Sequence, residues 1–204
     1  MEHSEAYKKL RRQMNASGKE KYDGCYPKIL EQIYEWEREE VENLIWKAFH
    51  KEGMIDWALY LPQLKYYDGI GALKEALAKY RIPSYRSVMV SRVLYESTGD
   101  DQYLDIIKQN IDKEENEISF VSMLAYCTPC KKAYNFLVKI YLRSDNSTIR
   151  SAAITGILYN KGIITDPHDI QEYNRTLELH RKFLATDMND RKRIIEMLEM
   201  EPNI

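Results

Sequence analysis

The sequence predicts an all-α fold, a right-handed α-solenoid of stacked antiparallel helix pairs. The first observation is a helical phrase that occurs twice, as SYRSVMVSRVLYES at 84–97 and as DNSTIRSAAITGILYN at 145–160. The two copies align without gaps and place Arg86 opposite Arg150, an offset of 64 residues. Two units of about 32 residues fit this offset, and a period in that range is typical of stacked helix pairs.

The second observation is the regular division of residues 68–161 by glycine and proline. Pro83 and Gly99 fall between periodic segments, and Pro129 stands in a first helical turn, where a helix tolerates proline. Within each segment apolar residues recur three and four positions apart, which gives each helix one buried stripe. The predicted helices span 70–81, 84–97, 101–112, 116–127, 130–143 and 147–160. They form three consecutive pairs.

Residues 1–67 are predicted to supply a capping pair of helices. A long helix over 27–52 starts at a proline, with a buried face that includes Tyr34 and an opposite side dense in glutamate. A second helix follows over 54–66, and Pro62 is expected to kink or end it.

The carboxyl end is predicted to be closed by two further amphipathic helices, over 170–184 and 188–200, within a cap that spans 162–204. Together with the cap at the other end, these helices complete one elongated domain over 1–204. A chain of this length can bury a continuous core as one domain.

The second copy of the phrase also resembles a known repeat. It carries Asp145, Ile149-Arg150, Ala152-Ala153 and Leu158. This pattern resembles the second helix of HEAT repeats, the armadillo-like helical family. The resemblance implies that Asp145 accepts hydrogen bonds from backbone N–H groups at the helix start and that Arg150 reaches an aspartate of a neighbouring unit. It also implies that neighbouring helices approach closely at the small residues Ala152 and Ala153.

The charge balance gives no overall attraction to phosphate or to anionic lipid. Lys and Arg number 30 against 32 Asp and Glu, a formal net charge of −2. The amino terminus has no apolar core of a signal peptide, and no uncharged apolar stretch approaches the roughly 20 residues that span a bilayer. Three cysteines, an odd number, fit a reducing compartment. We therefore expect a cytoplasmic protein that does not bind membranes.

No catalytic constellation is present in the sequence, so we expect neither an enzyme nor a cofactor. The strongest chemical signal is the pair Cys127 and Cys130, separated by two residues. Such a pair can belong to a structural turn, to half of a zinc site or to a redox centre. The other residues available for zinc are scattered: they are Cys25, His50, His168 and His180. We favour the structural turn and expect no metal.

Aromatic residues are abundant, with sixteen tyrosines and three tryptophans. Tyrosine and tryptophan dominate the energetic centres of protein interfaces, although most of these residues are expected to pack in helix stripes. The remainder, such as Tyr22, Tyr66 and Tyr67, could line a binding surface.

Since stacked repeats present extended surfaces, the predicted function is a non-enzymatic adaptor or inhibitor that binds another protein through the concave side, built from the second helices. The candidate binding residues on that side are Arg86, Ser87, Val90, Ser91, Glu117, Ser119, Arg150, Ser151 and Thr155. Arg86 and Arg150 have an alternative role in contacts inside the stack.

The resemblance to HEAT proteins implies two kinds of function. Small bacterial HEAT-like proteins include cytosolic immunity proteins that neutralise a toxin, and this chain is similar in length and acidity. The alternative is a HEAT-like DNA glycosylase for alkylated bases, which resembles this architecture and uses a cationic concave surface. Here the concave helices supply only Arg86, Arg92 and Arg150 as cations, so we expect nucleic-acid binding to be weak.

Overall fold

The structure of the protein is a computed structural model that describes residues 2–16, 26–115, 117–167, 169–184 and 187–200. All regular structure within these ranges is helical, which confirms the predicted all-α class, and they contain no strand. The chain divides into two compact units, Met1–Ala78 and Lys79–Ile204. No helix of the described part is both long and apolar enough to cross a bilayer.

The first unit contains three α-helices and two 3₁₀ helices in its described part. In chain order they are α1 (Glu5–Asn15), the first 3₁₀ helix (Pro27–Gln32), α2 (Glu35–His50), the second 3₁₀ helix (Ile55–Gln63) and α3 (Gly69–Lys79), which extends one residue past the unit boundary. The core is formed by apolar side chains from all five elements, including Leu10, Leu30, Ile45, Leu61 and Leu73.

The long helix predicted over 27–52 is interrupted. The backbone is extended at Ile33 and Tyr34, between the first 3₁₀ helix and α2. The carboxylate of Glu37 accepts the Tyr34 N–H at 3.1 Å and so compensates for the missing helical partner. The break exposes Tyr34, which was expected on the buried face, and the glutamates Glu37 and Glu42 are buried rather than solvated. The prediction for this segment is therefore wrong.

The predicted helix over 54–66 is the second 3₁₀ helix, which ends at Gln63 just after Pro62. Proline removes a backbone donor and fixes φ, which accounts for the end of this helix one residue after Pro62. The start of α3 packs directly on it. A Cβ at Gly69 would lie 1.8 Å from the carbonyl oxygen of Leu61, so only glycine fits this contact.

The second unit contains helices whose bounds follow the sequence prediction closely. They are α4 (Tyr85–Thr98), α5 (Gln102–Lys113), α6 (Ile118–Ala125), α7 (Lys131–Arg143) and α8 (Ser147–Asn160). Side chains cap four of these helix starts: Ser84, Glu117, Cys130 and Asn146 each accept a backbone N–H at the start of α4, α6, α7 and α8.

These helices pack in two rows. In one row, α6 contacts both α4 and α8; in the other, α5 contacts α7. The rows are joined because α5 packs on α4 and α7 packs on α8. Buried stripes at Tyr103, Ile107 and Ile111 and at Leu137 and Tyr141 confirm the predicted helical periodicity.

The predicted first pair, 70–81 with 84–97, lies across the boundary between the units. Its first helix corresponds to α3 and its second to α4, so the two are assigned to different compact units. That the whole chain forms one solenoid domain remains a prediction.

The C-terminal helix predicted over 170–184 is two short helices, α9 (Ile170–Arg175) and α10 (Leu177–Phe183), whereas α11 (Met188–Met200) matches its prediction. Helix α10 packs on α8, and α11 packs on α7. The hydroxyl of Tyr141 donates to the Phe183 carbonyl at 2.7 Å, so the last helices are anchored to the second row by a buried hydrogen bond.

Candidate functional site

A turn at 126–130 lies where the C-terminal ends of α4, α6 and α8 come together; we call it the central turn. Helix α4 holds it from one side. The hydroxyl of Tyr95 donates to the Thr128 carbonyl at 3.1 Å. The carboxylate of Glu96 accepts the backbone N–H of Thr128 at 2.7 Å and also the Thr128 hydroxyl. These bonds fix the turn against the end of α4.

Helix α8 holds the central turn from the other side. The side-chain oxygen of Asn160 accepts the Cys130 N–H at 2.8 Å. One turn earlier, a Cβ at Gly156 would lie 2.6 Å from the Cα of Ala125, so the two helices touch backbone to backbone. Asn160 occupies the position of Glu96 in the repeated phrase. The sequence repeat therefore places equivalent helix ends on both sides of one turn.

Helix α6 is flanked by α4 and α8, so each of the three helices leaves only a narrow stripe uncovered. The exposed or half-buried side chains of these stripes are Tyr85, Arg92 and Glu96 on α4, Ile118, Ser119 and Ser122 on α6, and Thr148, Ser151, Ala152, Thr155 and Tyr159 on α8. We call this set the row face.

The stripes of α4 and α8 lie on the same side of the row. Burial raises the pKa of Tyr159, and the charge of Glu96 raises it further while Arg92 lowers it. Glu96 of α4 and Asn160 of α8 both bond the central turn, so the two stripes approach each other at this end of the row.

The row face carries one cation and one carboxylate, Arg92 and Glu96, so its formal charges cancel. Its cation, Arg92, is half-buried and donates to the Tyr126 carbonyl at 3.3 Å. Its largest apolar side chains are accessible, since Tyr85 is 44% exposed and Ile118 is 40% exposed. Accessible aromatic and apolar side chains suit the core of a protein interface, in which tyrosine is enriched.

Four of the predicted binding residues are buried, so their placement on a solvent-facing surface is wrong. They are Ser87, Val90, Ser91 and Arg150. The error has a simple geometric cause, because neighbouring helices cover most of the circumference of α4 and α8. Ser87, for example, accepts a hydrogen bond from the Asn110 amide of α5 at 3.1 Å.

Arg150 also departs from the contact implied by the HEAT resemblance. Its guanidinium donates to the carbonyls of Ser144 and Asp145, at 3.2 and 2.8 Å, instead of pairing with an aspartate of a neighbouring unit. The helix start is capped by Asn146, whose side-chain oxygen accepts the N–H groups of Thr148 and Ile149, so Asp145 does not have this role. Arg150 is thus used inside the fold, as the alternative interpretation held.

The other predicted residues are accessible. Arg86 is exposed, and Glu117, Ser119, Ser151 and Thr155 are half-buried. The structure joins them in two pairs: Glu117 accepts the Ser119 hydroxyl at 2.7 Å, and the Thr155 hydroxyl donates to the Ser151 carbonyl at 3.2 Å. Their binding role remains a prediction.

Sequence reasoning missed the apolar part of the row face. Ile118 and Ala152 were not among the predicted binding residues, yet Ile118 is exposed and Ala152 is half-buried. Ile118 lies four residues before Ser122, and Ala152 lies four residues after Thr148. Residues four apart share one face of a helix, so this spacing was the sequence signal for their exposure. Tyr22, which was suggested for a binding surface, lies outside the described residues.

The two cysteines of the central turn serve its local structure. The Cys127 thiol is buried and donates to the Met123 carbonyl at 3.2 Å, and burial raises its pKa to about 12. The Cys130 sulfur accepts the Ala133 N–H at 3.3 Å and caps α7. In the described part of the chain no three potential metal ligands come together, while the candidate ligands Cys25 and His168 lie outside it.

Comparisons with known proteins add no relative: no protein-family model matches the sequence, and neither a curated protein nor a solved structure is significantly similar to it. The HEAT resemblance therefore depends on the sequence pattern alone. Any function has to be argued from the geometry of the chain.

Proposed function

We propose that the protein is a non-enzymatic adaptor or inhibitor that binds another protein through the row face. The observation that carries this proposal is the accessible strip on α4, α6 and α8, whose formal charges cancel and which has Tyr85 and Ile118 as its apolar anchors. Tyrosine is enriched in protein interfaces and in their energetic centres, so Tyr85 is the stronger of the two anchors. In this proposal α4 to α8 form a short right-handed HEAT-like solenoid.

The same geometry weighs against the alternative of a HEAT-like DNA glycosylase. Of the three cations expected on the concave side, only Arg86 is exposed, since Arg150 is buried and Arg92 is half-buried and bonded to a backbone carbonyl. Affinity for duplex DNA depends on the number of phosphates that lysine and arginine neutralise. One exposed arginine supplies too little of that attraction.

A toxin-neutralising immunity protein is one form of this proposal, supported by the resemblance to small HEAT-like proteins. The proposal also includes a cytoplasmic location. Cys127 and Cys130 are both free thiols, as is usual for proteins in a reducing compartment.

Site-specific photo-crosslinking in the native cell tests the proposal. A benzophenone amino acid is placed at Ala152 or Ser122 on the row face and, as the matched control, at the exposed Gln109 of α5. We expect a protein adduct of defined mass from the row-face positions and none from Gln109. The adduct should be lost when Ile118→Asp places a charge in the same strip, while the helical circular dichroism is unchanged.

Two outcomes would overturn the proposal. One is equal crosslinking from Gln109 and from the row face. The other is duplex DNA binding with a Kd below about 1 μM near physiological salt, weakened by Arg86→Ala. The second result would favour the glycosylase alternative.

A further inference from the structure

Four aromatic rings of the first unit contact one another in series on its surface. Tyr7 stacks on His3 with ring centroids 4.0 Å apart, His3 lies 5.1 Å from Trp36, and Trp36 lies 6.3 Å from Tyr34. We call these four side chains the aromatic ribbon. It joins α1 to the start of α2.

A single buried carboxylate fixes the backbone beneath the ribbon. Glu37 accepts hydrogen bonds from the His3 imidazole at 2.9 Å, from the Ser4 N–H at 2.8 Å, from the Ser4 hydroxyl at 2.6 Å and from the Tyr34 N–H at 3.1 Å. Both chain segments that carry the rings are therefore held by the same side chain. A surface fixed in this way loses little conformational entropy when it binds.

The outer end of the ribbon is accessible and acidic. Tyr34 is 51% exposed and Trp36 is 47% exposed. The exposed Glu39 and Glu40 follow Trp36 by three and four residues on α2, a spacing that places them on its side of the helix. The Tyr7 hydroxyl, at the inner end of the ribbon, donates to Glu40 at 2.7 Å, so this carboxylate lies beside the inner end.

Lysines near both ends of the ribbon are paired with carboxylates, and at the outer end Lys65 is paired with Glu35 at 3.3 Å. On α1, Lys8 is paired with Glu2 and Glu5, at 2.9 and 2.8 Å. Arg11 lies close enough to Tyr7 for its charge to act on that hydroxyl. Glu39 and Glu40 lie on the Trp36 side of α2, so a cation placed over Trp36 gains both ring and charge attraction.

We propose that the aromatic ribbon is a docking surface for a basic peptide segment of a partner protein, with a lysine or arginine side chain seated over Trp36 and Tyr34. Cations favour the faces of tryptophan and tyrosine, and Glu39 and Glu40 supply the complementary charge. Single-stranded nucleic acid also stacks on aromatic rings, but its phosphates would meet these carboxylates. This surface belongs to the first unit and does not depend on the row face.

The test measures binding of a fluorescently labelled arginine-glycine peptide to the full chain. In a matched peptide each arginine is replaced by citrulline, which keeps the shape and removes the charge. We expect the arginine peptide to bind at least about tenfold more tightly, and Trp36→Ala to weaken it about tenfold, the size of one cation–aromatic contact. The double variant Glu39→Gln with Glu40→Gln should weaken it to a similar extent.

Matched controls come from the second unit. Tyr85→Ala removes an exposed ring, and Glu196→Gln with Glu199→Gln removes two exposed carboxylates of α11; both variants should bind the arginine peptide as the natural sequence does. Equal binding of the citrulline peptide, equal losses in the controls, or no binding up to about 1 mM peptide would overturn the proposal. The glutamine variants keep the rings, so they test the proposal independently of any effect of Trp36→Ala on folding.

Discussion

The two compact units of the chain are stabilised by different chemistry. In the second unit, regular helices pack through apolar stripes and approach closely at small residues such as Gly156 and Ala125. In the first unit, 3₁₀ helices and extended segments alternate with α-helices, and three charged side chains, Glu37, Arg38 and Glu42, are buried. The second unit also buries Arg150 and Arg191, which donate to backbone carbonyls, but within the described residues the buried carboxylates belong to the first unit.

The contrast follows from where backbone groups find their partners. A helix interior satisfies its own N–H and C=O groups, whereas irregular segments need partners from elsewhere. Arg38 supplies them by donating to the carbonyls of Leu30 and Gln63, at 2.5 and 2.7 Å. Glu42 accepts from Arg38 at 2.5 Å and from the N–H groups at 65 and 66 at 2.8 Å each. A buried ion pair therefore organises the first unit.

The largest effect is expected from Arg38→Met. Loss of the guanidinium leaves the Glu42 carboxylate buried without its charge partner and leaves two carbonyls unpaired. Breaking a buried pair in this way costs about 3–5 kcal/mol of stability. Urea denaturation measures the change.

The matched control is Arg143→Met in the second unit. Arg143 also pairs with a carboxylate, Asp112 at 3.0 Å, but its side chain is 41% exposed. Exposed pairs contribute less than about 1 kcal/mol. Equal losses in the two arginine variants would contradict the comparison.

An intermediate effect is expected from Gly156→Ala in α8. Alanine normally favours a helix over glycine by about 1 kcal/mol, but its Cβ would clash with Ala125 and would also lie 2.7 Å from a Leu137 methyl carbon. Overpacking of this kind costs about 1–3 kcal/mol, so we expect a net loss in urea denaturation. The neighbouring variant Thr155→Ala should be nearly neutral. A stabilised Gly156→Ala protein would show that the two helices are not in close contact.

The smallest expected effect is a loss of folding stability at acidic pH. Burial alone would raise the pKa of Glu37, but the hydrogen bonds from Ser4, His3 and Tyr34 outweigh it and hold that pKa below its ordinary value of 4.5. The ionised form therefore stabilises the fold above that value, and this contribution is lost as the pH falls through the lowered pKa. We expect a contribution on the order of 1 kcal/mol, the size of one hydrogen-bonded charge.

The variant Glu37→Gln isolates this contribution. It should be less stable than the natural sequence at pH 7 and should lose less stability on acidification. Thermal denaturation at pH 7 and at pH 3 gives both comparisons. An unchanged dependence on pH in Glu37→Gln would rule out this role of the carboxylate.

The same contrast explains how much of the fold is predictable from sequence. Apolar periodicity and caps predicted α8 over 147–160 and α5 to within one residue, because apolar stripes stabilise both helices. The periodicity over 27–52 continued through a real break at Ile33 and Tyr34. Nothing local marks this break, since its partners, Glu37 and Arg38, look like ordinary surface residues of a helix.

The candidate site was predictable only in part, for a related reason. Periodicity identified Arg86 and Thr155 as accessible side chains, but it did not show how much of each second helix its neighbours cover. Ser87 and Ser91 are small enough to fit between helices, and Arg150 reaches carbonyl groups of its own turn. Composition alone does not separate these buried polar side chains from exposed ones.

Acid titration followed by two signals tests the central difference most directly. All three tryptophans, Trp36, Trp46 and Trp57, lie in the first unit, so their fluorescence reports on that unit alone, whereas most of the helical circular dichroism comes from the second. If buried ionised carboxylates organise the first unit, the fluorescence should change as the pH falls below about 4.5 while most of the helical signal persists. Coincident transitions, or loss of the helical signal first, would contradict this account.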